Sequence, residues 1–219
     1  MVTDLDPEKR AGIPTEMRLA ERRALRRRLL EQRLALSAAD CARLSAILCR
    51  HLQDGFPQLA GMRVGFCWPV HNEPDLLPLL TAWGAAQAPG FGALLPVVVD
   101  ENAALAFRAW TPETTLVADR YGIPTPAAGD FVRPDALLLP LNAFDAAGYR
   151  IGYGGGFFDR TLAALGAQGT RPLAIGVGFE LARVASIQPE AHDQPLDAIV
   201  TEAGVFRPQG AASKAGPGA

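Results

Sequence analysis

The chain has 219 residues, 49% of them apolar, and sets 21 Lys and Arg against 23 Asp and Glu for a formal charge of −2. That size and apolar content suit one soluble globular domain, and the near-neutral balance excludes nucleic-acid binding through overall charge, so any anion site must be local. No apolar run approaches the ~20 residues that span a bilayer, and Cys41, Cys49 and Cys67 contain no C-x-x-C pair; a cytoplasmic protein without disulfides, zinc or membrane contact is expected.

Residues 1–15, with Pro7, Gly12 and Pro14, and residues 207–219, mostly Gly, Ala, Ser and Pro, have little to bury. Both are expected to be disordered, leaving a single domain over 16–206. Over residues 15–36, Leu19, Leu25, Leu29 and Leu36 recur near helical spacing among Arg18, Arg22, Arg23, Arg26, Arg27, Arg28 and Arg33, which predicts a basic amphipathic helix. Ser37 and Asp40 read as the N-cap and acidic first turn of a second helix, which carries Leu44, Ile47, Leu48 and Leu52 and stops at Gly55 before Pro57. Residues 62–68 read as a buried strand ended by Pro69; the polar loop His71-Asn72-Glu73-Pro74-Asp75 then leads into a helix over 76–86. Strands follow over 93–99 and 105–110 around a turn at Asp100-Glu101-Asn102, and 136–141 is an almost wholly apolar strand of the kind buried on both faces. A helix over 158–165 and strands over 173–177 and 198–201 complete the series. The alternation predicts an α/β fold: a mainly parallel open sheet flanked by helices, with a helical pair in front.

Between the apolar strand and the 158–165 helix lies Arg150-Ile151-Gly152-Tyr153-Gly154-Gly155-Gly156-Phe157-Phe158-Asp159-Arg160, with four glycines in five positions. Glycines there let amide N–H groups converge without a Cβ in the way, and a helix N-terminus adds its dipole, so phosphate is the expected guest. The sixth position from Gly152 is Phe157, not the glycine of a dinucleotide fingerprint, and Gly156 is followed by Phe157-Phe158, not by the Lys-Ser/Thr of a Walker loop. A tight loop whose glycines serve only close packing is the plain alternative. Against it, Arg150 and Arg160 bracket the loop with guanidinium groups, and Asp159 supplies a hard carboxylate of the kind that holds nucleotide-bound magnesium.

Arg150 to Asp159 resembles the Arg-Leu-Gly-x-Gly-x-Gly-Tyr-Tyr-Asp loop of the 5-formyltetrahydrofolate cyclo-ligase family. The likeness extends to Pro140 and Phe144-Asp145, to Asn72-Glu73-Pro74-Asp75 after a strand, to the basic first helix, and to His192-Asp193; it covers roughly residues 18–203. The resemblance implies an open α/β fold shared with ribose-5-phosphate isomerase and CoA-transferase domains. It also implies an ATP- and Mg2+-dependent enzyme, acting on small molecules as a monomer without nucleic-acid partners. In the implied reaction ATP phosphorylates the formyl oxygen of 5-formyltetrahydrofolate, nitrogen-10 attacks the activated carbon, and phosphate leaves to give 5,10-methenyltetrahydrofolate.

Carried onto this sequence, the resemblance implies that Arg150, Gly152, Tyr153, Gly154, Gly155, Gly156, Phe157 and Phe158 surround the ATP phosphates, with Arg150, Tyr153 and Asp159 acting in catalysis. It implies Asp159 and Asp193 as magnesium ligands, Arg22, Arg23 and Arg26 as ATP contacts, and Trp68, Glu73 and Phe157 at the folate. Asp159 could instead satisfy free N–H groups at a helix start, Trp68 could serve the core, and most of the seven arginines could face solvent. Phe157 and Phe158 depart from the family, which has at least one Tyr there, and Arg22 stands where Lys is usual. A non-catalytic folate- or nucleotide-binding member of the same fold is the alternative expectation.

Overall fold

A computed structural model describes residues 15–208 apart from residue 170. The segments expected to be disordered, 1–15 and 207–219, fall almost wholly outside those residues. Two helices come first, α1 (Thr15–Leu34) and α2 (Ala38–Gly55), followed by β1 (Arg63–Gly65), α3 (Leu77–Ala85), β2 (Gly92–Val97) and β3 (Ala106–Trp110). A small hairpin of β4 (Leu116–Ala118) and β5 (Pro124–Pro126) precedes β6 (Ala136–Pro140). Beyond it lie the hairpin strands β7 (Ala143–Phe144) and β8 (Arg150–Ile151), α4 (Phe157–Ala167), β9 (Leu173–Val177), β10 (Ala198–Thr201) and β11 (Gly204–Phe206).

The sheet has seven strands in the order β11-β10-β9-β6-β1-β2-β3. The five central strands are parallel, and β3 and β11 close the two edges antiparallel, so the mainly parallel α/β expectation holds. The apolar run of β6 explains its central place: Ala136 and Leu138 join the core beneath α2 and α3, while Leu137 and Leu139 join the core that includes Leu162 of α4. A strand apolar at every position must be covered on both faces, and here it is.

Three local differences from the sequence expectation have simple causes. Strand β1 is only three residues long because the chain leaves the sheet after Phe66 to form the loop that carries Glu73. Helix α1 stops at Leu34, short of Leu36, where Asn72 Nδ2 donates to the carbonyls of Arg33, Leu34 and Leu36 and satisfies the helix end. The β4/β5 and β7/β8 hairpins and the edge strand β11 were not expected; their strands are two or three residues long and β5 begins and ends with proline, too little for an alternating pattern to register.

Candidate functional site

From β1 the chain first builds toward β2 and β3, then returns to lay β6, β9 and β10 on the other side of β1. The loops leaving the C-terminal ends of β1 and β6 therefore diverge, and such a switch point is where open α/β sheets bind ligands. The loop after β1 turns sharply at His71 (φ 52°) and Asn72 (φ 57°) and delivers Glu73, which is 7% exposed. One carboxylate oxygen of Glu73 accepts from the Val70 amide at 3.1 Å, folding the loop on itself.

The loop after β6 contains the β7/β8 hairpin and then the glycine segment. Tyr153, at its start, donates its hydroxyl to Glu73 Oε1 at 2.7 Å and accepts from Arg33 Nη2 at 2.7 Å. Arg33 is itself buried; its Nε donates to the His71 carbonyl at 2.9 Å, its Nη1 to the Leu141 carbonyl at 3.0 Å, and Nη2 lies 3.8 Å from Glu73. One guanidinium thus ties α1, the loop after β1, the end of β6 and the glycine loop together. Burial raises the Glu73 carboxyl above its ordinary range, opposed by the Tyr153 hydrogen bond and the Arg33 charge. Burial and the Glu73 charge likewise raise the Tyr153 phenol, so it stays a neutral donor.

Below this cluster a cavity of about 10 Å³, room for one water at most, is lined by Cys67, Glu73, Pro140 and Val177. Burial, with the Glu73 charge, pushes the Cys67 thiol up, so it offers no thiolate nucleophile.

The glycine loop turns through left-handed backbone at Gly154 (φ 102°) and Gly156 (φ 64°). Arg26 of α1 donates from Nε to the Gly152 carbonyl at 2.7 Å, and a Cβ on Gly154 would stand 3.2 Å from Arg26 Nη1. A Cβ on Gly152 would meet nothing within 4 Å, so packing does not account for that glycine. Desolvation and the charges of Arg22 and Arg23 hold the Arg26 guanidinium below its ordinary pKa, which marks a crowded positive field at the loop. Arg22 in turn donates to Asp193 Oδ2 at 2.8 Å and to the Gln188 carbonyl at 3.0 Å.

On the other flank, buried Arg150 reaches Asp159 at 3.3 Å, and the Gln194 amide donates to Asp159 Oδ1 at 3.1 Å. Asp159 sits in the first turn of α4, whose N-cap is Gly156 and has no side-chain cap. Arg150 Nε is buried without a hydrogen-bond partner among the described residues. An open cleft of about 560 Å³ is lined by Gly154, Gly155, Gly156, Asp159, Arg160, Ala163, His192 and Gln194.

The fold therefore gathers Arg22, Arg26, Arg150, Gly152, Tyr153, Gly154, Gly155, Gly156, Asp159 and Asp193 around one loop, with Glu73 joined through Tyr153. Arg23 lies on the exposed side of α1, outside this set. Trp68 is partly buried against the core and sits edge-on to Trp110 at 6.4 Å. Phe158 packs against the core beneath α4 with the Arg150 guanidinium 5.9 Å from its ring, and Phe157 lies under Arg160 at 4.9 Å. Sequence reasoning passed over Arg33, although Arg22, Arg26 and Arg33 share helical phase with Leu25 and Leu29 and so fall on the inward stripe.

Residues 18–202 match the sequence profile of the 5-formyltetrahydrofolate cyclo-ligase family. The chain belongs to that family. Curated cyclo-ligases agree: the Escherichia coli K12 protein of that name is 36% identical over 142 residues, 62% of this chain and 75% of its own length. The Mycolicibacterium smegmatis protein is 32% identical over 155 residues, 66% of this chain and 75% of its own. The solved structure of Aquifex aeolicus 5,10-methenyltetrahydrofolate synthetase superposes with a TM-score of 0.72 at 26% identity, covering 90% of this chain and 95% of that one. A Mycoplasma pneumoniae synthetase shares the fold at 20% identity and TM-score 0.65, over 83% and 98% of the two chains. Membership of a ligase family agrees with the glycine-loop motif that first suggested it. Among the described residues no helix is long and apolar enough to cross a membrane.

Proposed function

We propose that this cyclo-ligase family member closes 5-formyltetrahydrofolate to 5,10-methenyltetrahydrofolate at the expense of ATP, with the glycine loop as the triphosphate site. The convergence of Arg26, Arg22 and Arg150 on that loop carries the reading. Arg22 and Arg150 are paired with Asp193 and Asp159, whereas desolvation and the charges of Arg22 and Arg23 press on Arg26, and an anion in the loop would offset that charge. The unpartnered Arg150 Nε and the open space at Gly152 fit a phosphate group in the same way.

In this reading the formyl oxygen attacks the γ-phosphorus and ADP leaves; nitrogen-10 then attacks the formyl carbon, and phosphate departs carrying that oxygen. The protein's tasks are alignment and neutralisation of phosphate charge. The loop amides, the N-terminus of α4 and the arginines provide them. Glu73, fixed by Val70 and Tyr153, keeps acceptor capacity for N–H groups of the folate.

No group of three or more His, Cys, Asp or Glu side chains able to hold a metal occurs among the described residues. A nucleotide-bound Mg2+ needs only one or two protein carboxylates, and Asp159, which accepts from the Gln194 amide and faces Arg150, and Asp193, the residue before Gln194 and paired with Arg22, would supply them. Its chemistry there would be neutralisation of phosphate charge. The full chain given 5-formyltetrahydrofolate, ATP and Mg2+ should develop the absorbance of the conjugated methenyl product with ADP in equal amount. Folate binding without ATP-dependent product would replace this reading with a binding protein.

A further inference from the structure

Through Phe157 and Arg160, the glycine loop adjoins a second structure that the proposed reaction does not use. Tyr121 has 55% of its surface exposed and stands edge-on to Phe157, with ring centroids 6.1 Å apart at 74°. Phe157 is the first residue of α4, directly after Gly156. The Arg160 guanidinium, 4.9 Å from the Phe157 centroid, also lines the glycine-loop cleft, so the aromatic pair adjoins that cleft.

Tyr121 is held by its turn and not by packing. Asp119 Oδ1 accepts from the amides of Tyr121 at 2.8 Å and Ile123 at 2.9 Å, and its backbone bonds to Ile123 and Gly122 close the loop. Arg120 is ion-paired to Glu101 and lies 5.6 Å from the Tyr121 ring; the Glu101 carbonyl accepts from Arg160 Nη2 at 2.9 Å. The turn over 119–123, the turn at Glu101 and the first turn of α4 are thereby clamped to one another. A large ring, braced by polar contacts yet left half in water beside an anion site, adds nothing to the core and offers a stacking surface.

Resting on the function proposed above, we infer that Tyr121 is a binding residue that stacks on the planar heteroaromatic ring of a ligand whose charged part lies in the glycine-loop cleft. That ring belongs either to the purine of the nucleotide or to the folate. Ring-on-aromatic stacking of this kind changes affinity by about 5- to 100-fold.

Titration calorimetry on the full chain separates the sources, with ATP and Mg2+ in one arm and 5-formyltetrahydrofolate in the other. Tyr121→Ala should raise the Kd of one of these ligands by about 5- to 100-fold, and Tyr121→Phe should leave it within about twofold of wild type, since the ring and not the hydroxyl does the stacking. A rise confined to the nucleotide arm assigns the purine, and one confined to the folate arm assigns the folate. Both Kd values staying within about twofold in a folded Tyr121→Ala protein would overturn the inference while leaving the cyclo-ligase reading intact. Wild-type protein that binds neither ligand would overturn both.

Discussion

Replacing Arg33 by Met keeps an unbranched stem but deletes the guanidinium on which the site converges. Three hydrogen bonds from a buried cation are lost, to the His71 and Leu141 carbonyls and to the Tyr153 hydroxyl, and Glu73 keeps its carboxylate without the charge 3.8 Å away. Hydrogen bonds to charged groups contribute about 1.5–3 kcal/mol each, but losses within one network do not add. Removal of one partner from a buried pair costs about 3–5 kcal/mol, and that is the expected destabilisation here. Because the damage is an uncompensated carboxylate, adding Glu73→Gln to Arg33→Met should restore about 1–3 kcal/mol. Equilibrium urea unfolding of wild type, both single variants and the double variant closes the cycle. A single-variant loss below about 1 kcal/mol, or strict additivity in the double variant, would refute the keystone role given to Arg33.

Glu73 gives a pH test with a definite sign. Its folded-state carboxyl is raised above the ordinary 4.5, so the folded state holds the extra proton and stability falls as pH rises from 4.5 through the raised value. Glu73→Gln should flatten that part of the melting-temperature profile, and an unchanged profile would contradict the burial argument. Gly154→Ala forces a Cβ onto backbone at φ 102° against Arg26, a strain of about 1–3 kcal/mol, so the KM for ATP should rise about tenfold while the fold survives. Asp159→Asn retains the shape beside Arg150 but not the charge; kcat should fall about 100-fold, with a weakened response in Mg2+ titration. A normal Mg2+ response would return Asp159 to a purely structural role at the start of α4.

The sheet was legible because β6, β9 and β10 are apolar at nearly every position, and only a strand covered on both faces sustains that. The glycine loop was legible for the opposite reason: its residues make no sense as core. Arg33 was hidden among seven arginines, since charge argues for solvent and only the phase shared with Leu29 argues otherwise. Tyr121 was hidden because the hairpin that presents it has strands of three residues, below the length at which alternation can be read. Its approach to Phe157 depends on a contact 36 positions away in sequence, which no local pattern carries.

The proposed reaction is tested most directly by the fate of one oxygen atom. 5-Formyltetrahydrofolate labelled with heavy oxygen in the formyl group, turned over with ATP and Mg2+ by the full chain, should place one labelled atom in each phosphate released. Unlabelled phosphate, or methenyl product formed equally well without ATP, would contradict phosphorylation of the formyl oxygen at the glycine loop.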